Sequence, residues 1–251
     1  MRLAAGMSSL CDAMLAVLYP QACAVCGASV EARADGTACA ACWSRTRIFG
    51  DQEPLCWKCG VPGRWGPGGA GDQDWRALCR RCDPEAFTAA RAIGLYEGAL
   101  RAAVLALKRE PRVARRLAQL MCQAAQRPPL DQATRIIPVP LHPARERERG
   151  FNQAAVLGRT LAASARLPFD ERSLIRTVYT ARHRAGMDAR SRRESVEAAF
   201  LVQRRRLIAD EKILLIDDVF TTGATVSACA RALLDAGAQT VYVLTVARAG
   251  S

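Results

Sequence analysis

The pattern of apolar and polar positions changes near residue 86, and beyond that point it is typical of an α/β protein. Short apolar runs alternate there with segments whose apolar residues recur at helical spacing. The strand candidates are Ala92–Tyr96, Arg135–Val139, Leu174–Val178, Phe200–Val202, Lys212–Ile216 and Thr240–Val246. The helix candidates are residues 99–109, 112–125, 152–165 and 224–236. Strands that alternate with helices predict a mainly parallel sheet flanked by helices.

The first third of the chain follows a different pattern. A short helix ended by Pro20 is predicted, because apolar residues recur there at helical spacing: Leu3, Met7, Leu10, Met14 and Val17. Residues 23–82 are loop-rich, and Gly60–Gly71 has too many glycines and prolines for a helix or strand interior. We therefore expect a small N-terminal domain over residues 1–85 and an α/β domain over residues 86–251.

The cysteines are concentrated in the small domain. Eight of the 11 form four Cys-x-x-Cys pairs: Cys23, Cys26, Cys39, Cys42, Cys56, Cys59, Cys79 and Cys82. The spacers of 12 residues between the first two pairs and 19 between the last two are zinc-ribbon spacings. Two pairs complete a closed tetrahedral Cys₄ site, so we predict two structural Zn²⁺ sites rather than redox dithiols or disulfides. Sequential pairing closes shorter loops than interleaved pairing, which stays an alternative.

The same region is rich in aromatic and basic side chains. The tryptophans Trp43, Trp57, Trp65 and Trp75 are interleaved with Arg45, Arg47, Arg64, Arg76, Arg80 and Arg81. Such side chains can stack on bases and contact phosphates, which would give a site for single-stranded DNA. Alternatively, the tryptophans are the core of a very small domain. The sequence leaves both interpretations open.

The chain is basic and shows no membrane signal. Its 36 Lys and Arg residues outweigh 24 Asp and Glu residues, for a formal net charge of +12, and only Lys58, Lys108 and Lys212 are lysines. This preference for arginine over lysine has two alternative explanations. One is arginine-rich codon usage, and the other is selection for phosphate binding, because guanidinium matches phosphate geometry. Met1–Asp12 lacks the apolar run of a signal peptide, and no stretch approaches a membrane span. We expect a cytoplasmic protein without membrane insertion.

A candidate anion site follows the predicted strand Lys212–Ile216. Asp217 and Asp218 come next, and a turn of small residues then leads into a predicted helix. Backbone N–H groups and hydroxyl groups of that turn can surround a phosphate dianion, from Thr221, Thr222, Gly223, Ala224 and Thr225. The two aspartates can accept hydrogen bonds from ribose hydroxyls or hold Mg²⁺ through water. The alternative is an ordinary strand-to-helix turn.

Two common nucleotide motifs are missing from this turn. A P-loop would need a Gly-Lys-Ser/Thr ending, and a dinucleotide fingerprint would need three spaced glycines. The 13 residues Ile213–Thr225 instead resemble, nearly position for position, the motif of type I phosphoribosyltransferases that binds phosphoribosyl pyrophosphate (PRPP). The resemblance implies that residues 86–251 form such a domain and bind PRPP with Mg²⁺.

Further motifs resemble one family more narrowly. Tyr96–Gly98 with Lys108, the segment Ile137–Gln153 and the double zinc ribbon are together similar to the ComF family of competence proteins. The resemblance covers nearly the whole chain. It implies a phosphoribosyltransferase fold and a role in DNA uptake during natural transformation, and it brings no settled transferase substrate.

The resemblance also implies roles for basic residues. The loop Leu141–Gly150 is placed to bind pyrophosphate, which Arg145, Arg147 and Arg149 would contact, unless its alternating charges are only a solvated surface. Lys108 would face bound phosphates, or would only compensate the dipole of the helix that it ends.

One segment departs from the family. Thr180–Ser195 corresponds to the mobile loop over the active site, and His183 and Ser195 stand where the family usually has Gln and Asn. The contacts of this loop, and retention of an ancestral substrate, are therefore left open.

Two functional hypotheses remain. In the first, the protein transfers phosphoribosyl from PRPP to an unknown acceptor, Asp217 and Asp218 hold the ribose, and Mg²⁺ and arginines neutralise the departing pyrophosphate. In the second, the fold senses PRPP or a nucleotide without turnover, while the ribbons hold single-stranded DNA or a DNA-uptake protein partner.

Overall fold

The structure is a computed structural model that describes residues 21–50, 53–63, 79, 82, 84–177 and 199–250. Several sequence predictions lie outside these residues: the helix before Pro20, Trp65, Trp75, the arginines at 64, 76, 80 and 81, and the segment with His183 and Ser195.

The regular elements of the described residues follow the alternation predicted from sequence. In chain order they are α1 (Ala40–Arg45), β1 (Ala89–Leu95), α2 (Gly98–Leu107), α3 (Arg115–Ala125), β2 (Arg135–Pro138), α4 (Pro143–Arg149), α5 (Gln153–Ala165), β3 (Leu174–Arg176), β4 (Phe200–Val202), β5 (Lys212–Phe220), α6 (Ala224–Asp235) and β6 (Thr240–Arg248). Short 3-10 turns occur at Arg33–Asp35, Leu130–Gln132 and Arg205–Leu207.

The core is a parallel four-stranded sheet in the order β1-β6-β5-β2. Leu214 of β5 lies beside Tyr242 of β6 and Ile136 of β2, which fixes the register of the three strands. β3 and β4 form a separate antiparallel pair. The predicted parallel sheet flanked by helices is therefore confirmed.

Alternate residues of β5 enter two hydrophobic clusters on opposite faces of the sheet. Leu214 and Ile216 pack with residues of α2, α3 and α5, whereas Ile213 and Leu215 pack with residues of α6. All four side chains are buried. Burying each contributes about 1.5–3 kcal/mol, which holds β5 firmly as a platform for the residues at its carboxyl end.

Two differences from the prediction affect the candidate site, and other element ends are also shifted by a few residues. β5 continues to Phe220, so the acidic pair lies within the strand and not just after it. The predicted loop Leu141–Gly150 contains helix α4, with His142 accepting a hydrogen bond from the N–H of Ala144 at its start and Gly150 in the left-handed region at its end. This short helix buries no residue, so it has no apolar stripe that a periodicity argument can detect.

The cysteine-rich segment pairs with the outer edge of β1. The N–H of Leu95 donates to the carbonyl of Arg47 (3.1 Å), and the N–H of Phe49 donates to the carbonyl of Ile93 (2.8 Å). Gly94 permits this approach, because a Cβ atom at that position would lie 2.1 Å from the Arg47 oxygen. Residues 47–49 thus extend the sheet beyond β1 in the antiparallel sense.

The two cysteine-rich halves pack on opposite faces of the sheet. Cys39, Cys42 and Trp43 join the cluster formed with α2, α3 and α5, whereas Cys56 and Cys59 join the cluster formed with α6. The small domain therefore shares both hydrophobic clusters with the α/β domain. The boundary between residues 85 and 86 stays a prediction.

Candidate phosphate site and cysteine clusters

Eight cysteines form two compact clusters. Cys23, Cys26, Cys39 and Cys42 make the first, and Cys56, Cys59, Cys79 and Cys82 make the second; within each, all sulfur atoms lie within 4.8 Å of one another. Sulfur–sulfur distances of 3.7 Å (Cys26–Cys39) and 3.6 Å (Cys56–Cys82) match the edge of about 3.8 Å that a tetrahedron with Zn–S bonds of about 2.3 Å requires. These clusters fit Zn²⁺, and the sequential pairing is confirmed.

Backbone N–H groups support the thiolates in both clusters. Cys23 Sγ accepts from the N–H of Cys39 (3.3 Å), and Cys56 Sγ accepts from the N–H of Cys79 (3.2 Å). Backbone donors fixed in this way favour the ionised form of the sulfur atoms that they face, which is the form that zinc needs.

The two described tryptophans, Trp43 and Trp57, differ in how far their rings are exposed for stacking on a base. Trp43 is 7% exposed and belongs to a hydrophobic cluster, so it is a core residue and presents no face to a base. Trp57 is half-buried, and the guanidinium of Arg91 lies 5.1 Å from its ring centroid. The packing interpretation is therefore right for Trp43, while DNA binding by the region stays a prediction.

The acidic pair lies near the carboxyl end of β5. Asp218 is 8% exposed, whereas Asp217 is partly exposed and accepts a hydrogen bond from the Asp218 N–H (2.8 Å). Desolvation of its carboxyl group raises the pKa of Asp217 well above the ordinary value, and the charge of Asp218 raises it further. The site thus holds two adjacent carboxyl groups that favour a nearby cation.

Lys108 supplies such a cation. It caps the C-terminus of α2, and its Nζ lies 3.2 Å from Asp218 Oδ2. The buried Gln153, first residue of α5, donates from Nε2 to the same oxygen at 3.5 Å. Lys108 therefore does more than compensate the dipole of α2, because its side chain forms an ion pair with a residue of β5.

The turn after β5 has the shape expected of an anion site. Gly223 is the N-cap of α6 with φ +88, and its carbonyl accepts from the N–H of Ser227 (2.8 Å). Thr221 and Thr222 are exposed, Ala224 and Thr225 are half-buried, and the first N–H groups of a twelve-residue helix follow. The ring of Phe220 lies beneath the turn, since a Cβ atom on Gly223 would lie 2.9 Å from its Cζ.

Helix α4 separates the three candidate arginines. Arg145 and Arg149 are four residues apart and share a face, whereas Arg147 lies on the opposite side and is exposed. Arg149 donates from its Nη1 to Gln153 Oε1, which links it to Asp218 through the Gln153 side chain. Pyrophosphate binding by the three arginines stays a prediction, and within the helix only Arg145 and Arg149 share a face that could contact the same anion.

Gln153 and Asn152 are site residues to which sequence reasoning gave no role. Asn152 caps α5 by accepting from the N–H of Ala154 (3.0 Å) and donates to the carbonyl of Val139 (3.0 Å), which ties the helix to the end of β2. Both residues stand in the segment that resembles the ComF family. The family resemblance included both residues in its motif, but only the structure shows that Gln153 donates a hydrogen bond to Asp218.

Family comparisons agree with this architecture. A double zinc ribbon domain matches residues 14–83, and a phosphoribosyl transferase domain matches residues 153–251. The chain is thus a double zinc ribbon followed by a domain of the phosphoribosyltransferase fold.

Curated relatives narrow the assignment further. The DNA utilization protein YhgH of Salmonella typhi is 30% identical over 251 residues, which cover 97% of each chain. Competence protein F of Haemophilus influenzae is 34% identical over 115 residues, which cover 45% of this chain and 50% of that protein. Competence protein ComFC of Bacillus subtilis is 34% identical over 103 residues, covering 41% and 39%. The chain belongs to the ComF family.

Similarity to solved structures is more distant. The glutamine PRPP amidotransferase from B. subtilis, complexed with ADP and GMP, aligns at 18% identity with a TM-score of 0.36, over 57% of this chain and 26% of that one. A likeness of this size carries no weight beside the family matches and the strand order. Separately, the helices of the described residues are all too short or too polar to span a membrane.

Proposed function

We propose that this protein binds Mg²⁺–PRPP at the carboxyl end of β5 and transfers its phosphoribosyl group to an acceptor with release of pyrophosphate. The observation that carries the proposal is the ion pair between Lys108 and Asp218. Asp218 lies shortly before Gly223 in the chain, at the candidate site for the phosphate. An ordinary strand-to-helix turn has no need for a lysine brought from a distant helix.

The 5′-phosphate of PRPP would bind at the start of α6. Its oxygens would accept from the backbone N–H groups of Thr222 to Thr225 and from the hydroxyl groups of the exposed Thr221 and Thr222. Gly223 adopts positive φ, and a Cβ atom there would collide with the Phe220 ring beneath the turn, so glycine is what lets the backbone take the conformation that presents these N–H groups.

The ribose would lie over the acidic pair. Asp217 and Asp218 would accept hydrogen bonds from its hydroxyl groups, and their oxygens suit Mg²⁺, directly or through water. The metal would supply charge neutralisation on the pyrophosphate oxygens. Lys108 would then leave Asp218 and contact a phosphate oxygen instead, because its partly exposed and flexible side chain can rotate.

The departing pyrophosphate would be held by Lys108 with Arg145 and Arg149 of α4. In the transfer step, the bond between ribose C1 and the pyrophosphate oxygen breaks and its electron pair leaves with pyrophosphate. The lone pair of the acceptor forms the new bond to C1, and the proton that the acceptor loses passes to solvent. The cations stabilise the charge that develops on the leaving group, while the aspartates stabilise the positive ribose.

Titration calorimetry with PRPP, with and without Mg²⁺, tests the binding step. Replacing Asp217 and Asp218 together with Asn, or Gly223 with Val, should weaken binding about tenfold to a hundredfold. Asp235→Asn is the matched control, because Asp235 is an exposed carboxylate at the far end of α6. Wild-type protein that does not bind at millimolar PRPP, or variants that bind like the control, would contradict the proposal.

Release of pyrophosphate tests the transfer step. Wild-type protein is assayed with PRPP against a panel of bases, amines and DNA, using Asp217→Asn/Asp218→Asn as the blank. Turnover with one acceptor class identifies the substrate. PRPP binding without pyrophosphate release from any acceptor favours the second function below.

The second candidate is a binding module for single-stranded DNA. Its support is that relatives are named as a DNA utilization protein and competence proteins, and that the chain carries a net charge of +12. Affinity for a labelled oligonucleotide should fall steeply with salt, because phosphate contacts release counterions. Trp57→Ala should weaken binding with unchanged zinc content if bases stack there. A fragment lacking residues 1–85 that binds DNA equally well would exclude the ribbons as the site.

A further inference from the structure

The backbone of the second zinc cluster is bound by the sheet at three consecutive carbonyl groups. The segment Cys56–Gly60, here called the second knuckle, carries two of the four cysteines of that cluster. The carbonyl of Trp57 accepts from Arg91 Nη1 (2.7 Å), and that of Lys58 accepts from the N–H of Ala90 (2.6 Å). The third carbonyl, that of the zinc ligand Cys59, accepts from Arg248 Nη1 at 2.7 Å.

Arg248 also contacts the floor of the phosphate turn. It is the last residue of β6 and lies beside Phe220, the last residue of β5. Its guanidinium carbon lies 4.6 Å from the centroid of the Phe220 ring, within the range of a cation–π contact. Phe220 in turn supports Gly223, whose missing Cβ atom would stand 2.9 Å from the ring.

The electrostatics favour the same link. A Zn²⁺ ion with four thiolates carries a net charge of about −2, and a guanidinium bonded to the carbonyl of one ligand offsets part of it. Arg248 is half-buried and Phe220 is 5% exposed, so solvent screens this contact only weakly. Loss of the metal would remove the charge and the rigid knuckle that hold the guanidinium over the ring.

We infer that Arg248 is a positioning residue that couples the second zinc cluster to the phosphate turn. Zinc at Cys56, Cys59, Cys79 and Cys82 fixes the carbonyl of Cys59, which fixes Arg248, which keeps the Phe220 ring beneath Gly223. The turn is thereby held open for a phosphate. The identification of the ligand as a phosphate rests on the proposed function. The coupling itself consists of contacts within the protein, which are present without any ligand.

Two readouts on full-length, zinc-loaded protein test the coupling without PRPP. The first is the rate of zinc transfer to a chromophoric chelator, with alkylation of the freed cysteines followed by mass spectrometry to tell the second cluster from the first. The second is hydrogen–deuterium exchange of the amides of residues 221–225. Arg248→Met should raise zinc loss from the second cluster and exchange at the turn about tenfold each, since a charged hydrogen bond is removed.

The controls separate this path from general loosening. Arg159→Met removes another arginine stacked on a phenylalanine, with 5.5 Å from its guanidinium carbon to the centroid of Phe169, at a site on α5 away from both features. It should change neither readout. Phe220→Leu breaks the path at the ring, so exchange at the turn should rise while zinc loss stays near the wild-type rate.

The outcomes are distinct. If Arg248→Met matches Arg159→Met in either readout, the coupling is wrong. The coupling is also wrong if Arg248→Met changes only one readout, either faster exchange at the turn with zinc loss at the wild-type rate or faster zinc loss with unchanged exchange. Titration with Mg²⁺–PRPP is a third measurement, in which Arg248→Met should bind about tenfold more weakly. Wild-type protein that does not bind PRPP contradicts the proposed function only, because the first two readouts still decide the coupling.

Discussion

The ion pair between Lys108 and Asp218 gives the sharpest test of the site as it stands without ligand. The perturbation is a double-mutant cycle with Lys108→Met, Asp218→Asn and the two combined. Each replacement nearly keeps the volume of the side chain and removes its charge. Gln153 can still donate to the Asn oxygen, so the single variant of Asp218 leaves that neighbour satisfied.

The distance and exposure set the expected coupling. At 3.2 Å and an effective dielectric constant of about 20, the Coulomb attraction is about 5 kcal/mol before desolvation and entropy costs are subtracted. The Lys108 side chain is 34% exposed and that of Asp218 11%, so solvent screens part of it. Charged hydrogen bonds of this kind retain about 1.5–3 kcal/mol, and the exposure of Lys108 places the expected coupling near the lower end, at about 1.5 kcal/mol.

Urea unfolding of the four proteins, with zinc content measured before each titration, yields this coupling energy. It should shrink at high salt, because the pair is partly open to solvent. A coupling below about 0.3 kcal/mol, the usual error of additivity, would refute the reasoning, because Lys108 would then be a surface lysine that only happens to lie near the carboxylate.

Three further predictions concern the metal, the ribbon interface and the acidic pair. Elemental analysis should find about two zinc ions per chain, and chelation should unfold the ribbons first. Undenatured protein that is purified with a reducing agent and still contains disulfides and almost no metal would contradict both sites. Gly94→Ala should cost about 3 kcal/mol and lower the melting temperature by about 6–12 °C, since its Cβ atom would lie 2.1 Å from the Arg47 oxygen; Gly50→Ala, with open space around the Cβ position, should change little. Asp217→Asn should raise the melting temperature at pH 8 more than at pH 4. The raised pKa of Asp217 means that the folded protein holds this proton more tightly than the unfolded chain, so ionisation destabilises the fold as pH rises; equal shifts at both pH values would contradict this.

Sequence reasoning reached the sheet and the cysteine clusters because both leave local signals. The strand Phe200–Val202 was predicted with its observed bounds, and the helix at 224–236 is within one residue of α6. Such segments carry their own periodicity, and Cys-x-x-Cys pairs carry their own spacing. Helix α4 was missed because a solvated helix of alternating charge has no apolar face to detect.

Contacts between distant segments had no comparable signal. The sequence marked Lys108 and Gln153 only through family resemblance, and neither its periodicity nor its spacing brings them to Asp218. The interface at Gly94 was equally hidden, since a glycine within a strand indicates a close approach without naming its partner. These features arise from how α2, α5 and the ribbons pack on one sheet, which is a property of the whole fold.

The pairing of residues 47–49 with β1 has a consequence for how the protein would fail. β5 and β6 have strands on both sides, and the outer side of β2 pairs with residues 168–170 through Ile136. The ribbon segment likewise occupies the side of β1 that would otherwise be bare. Once zinc is lost, the carbonyl group of Ile93 and the N–H group of Leu95 lose their partners and become a template for another chain. Metal depletion should therefore be recorded as irreversible aggregation that depends on protein concentration, and the ribbons act in this respect as a cap that keeps each molecule separate.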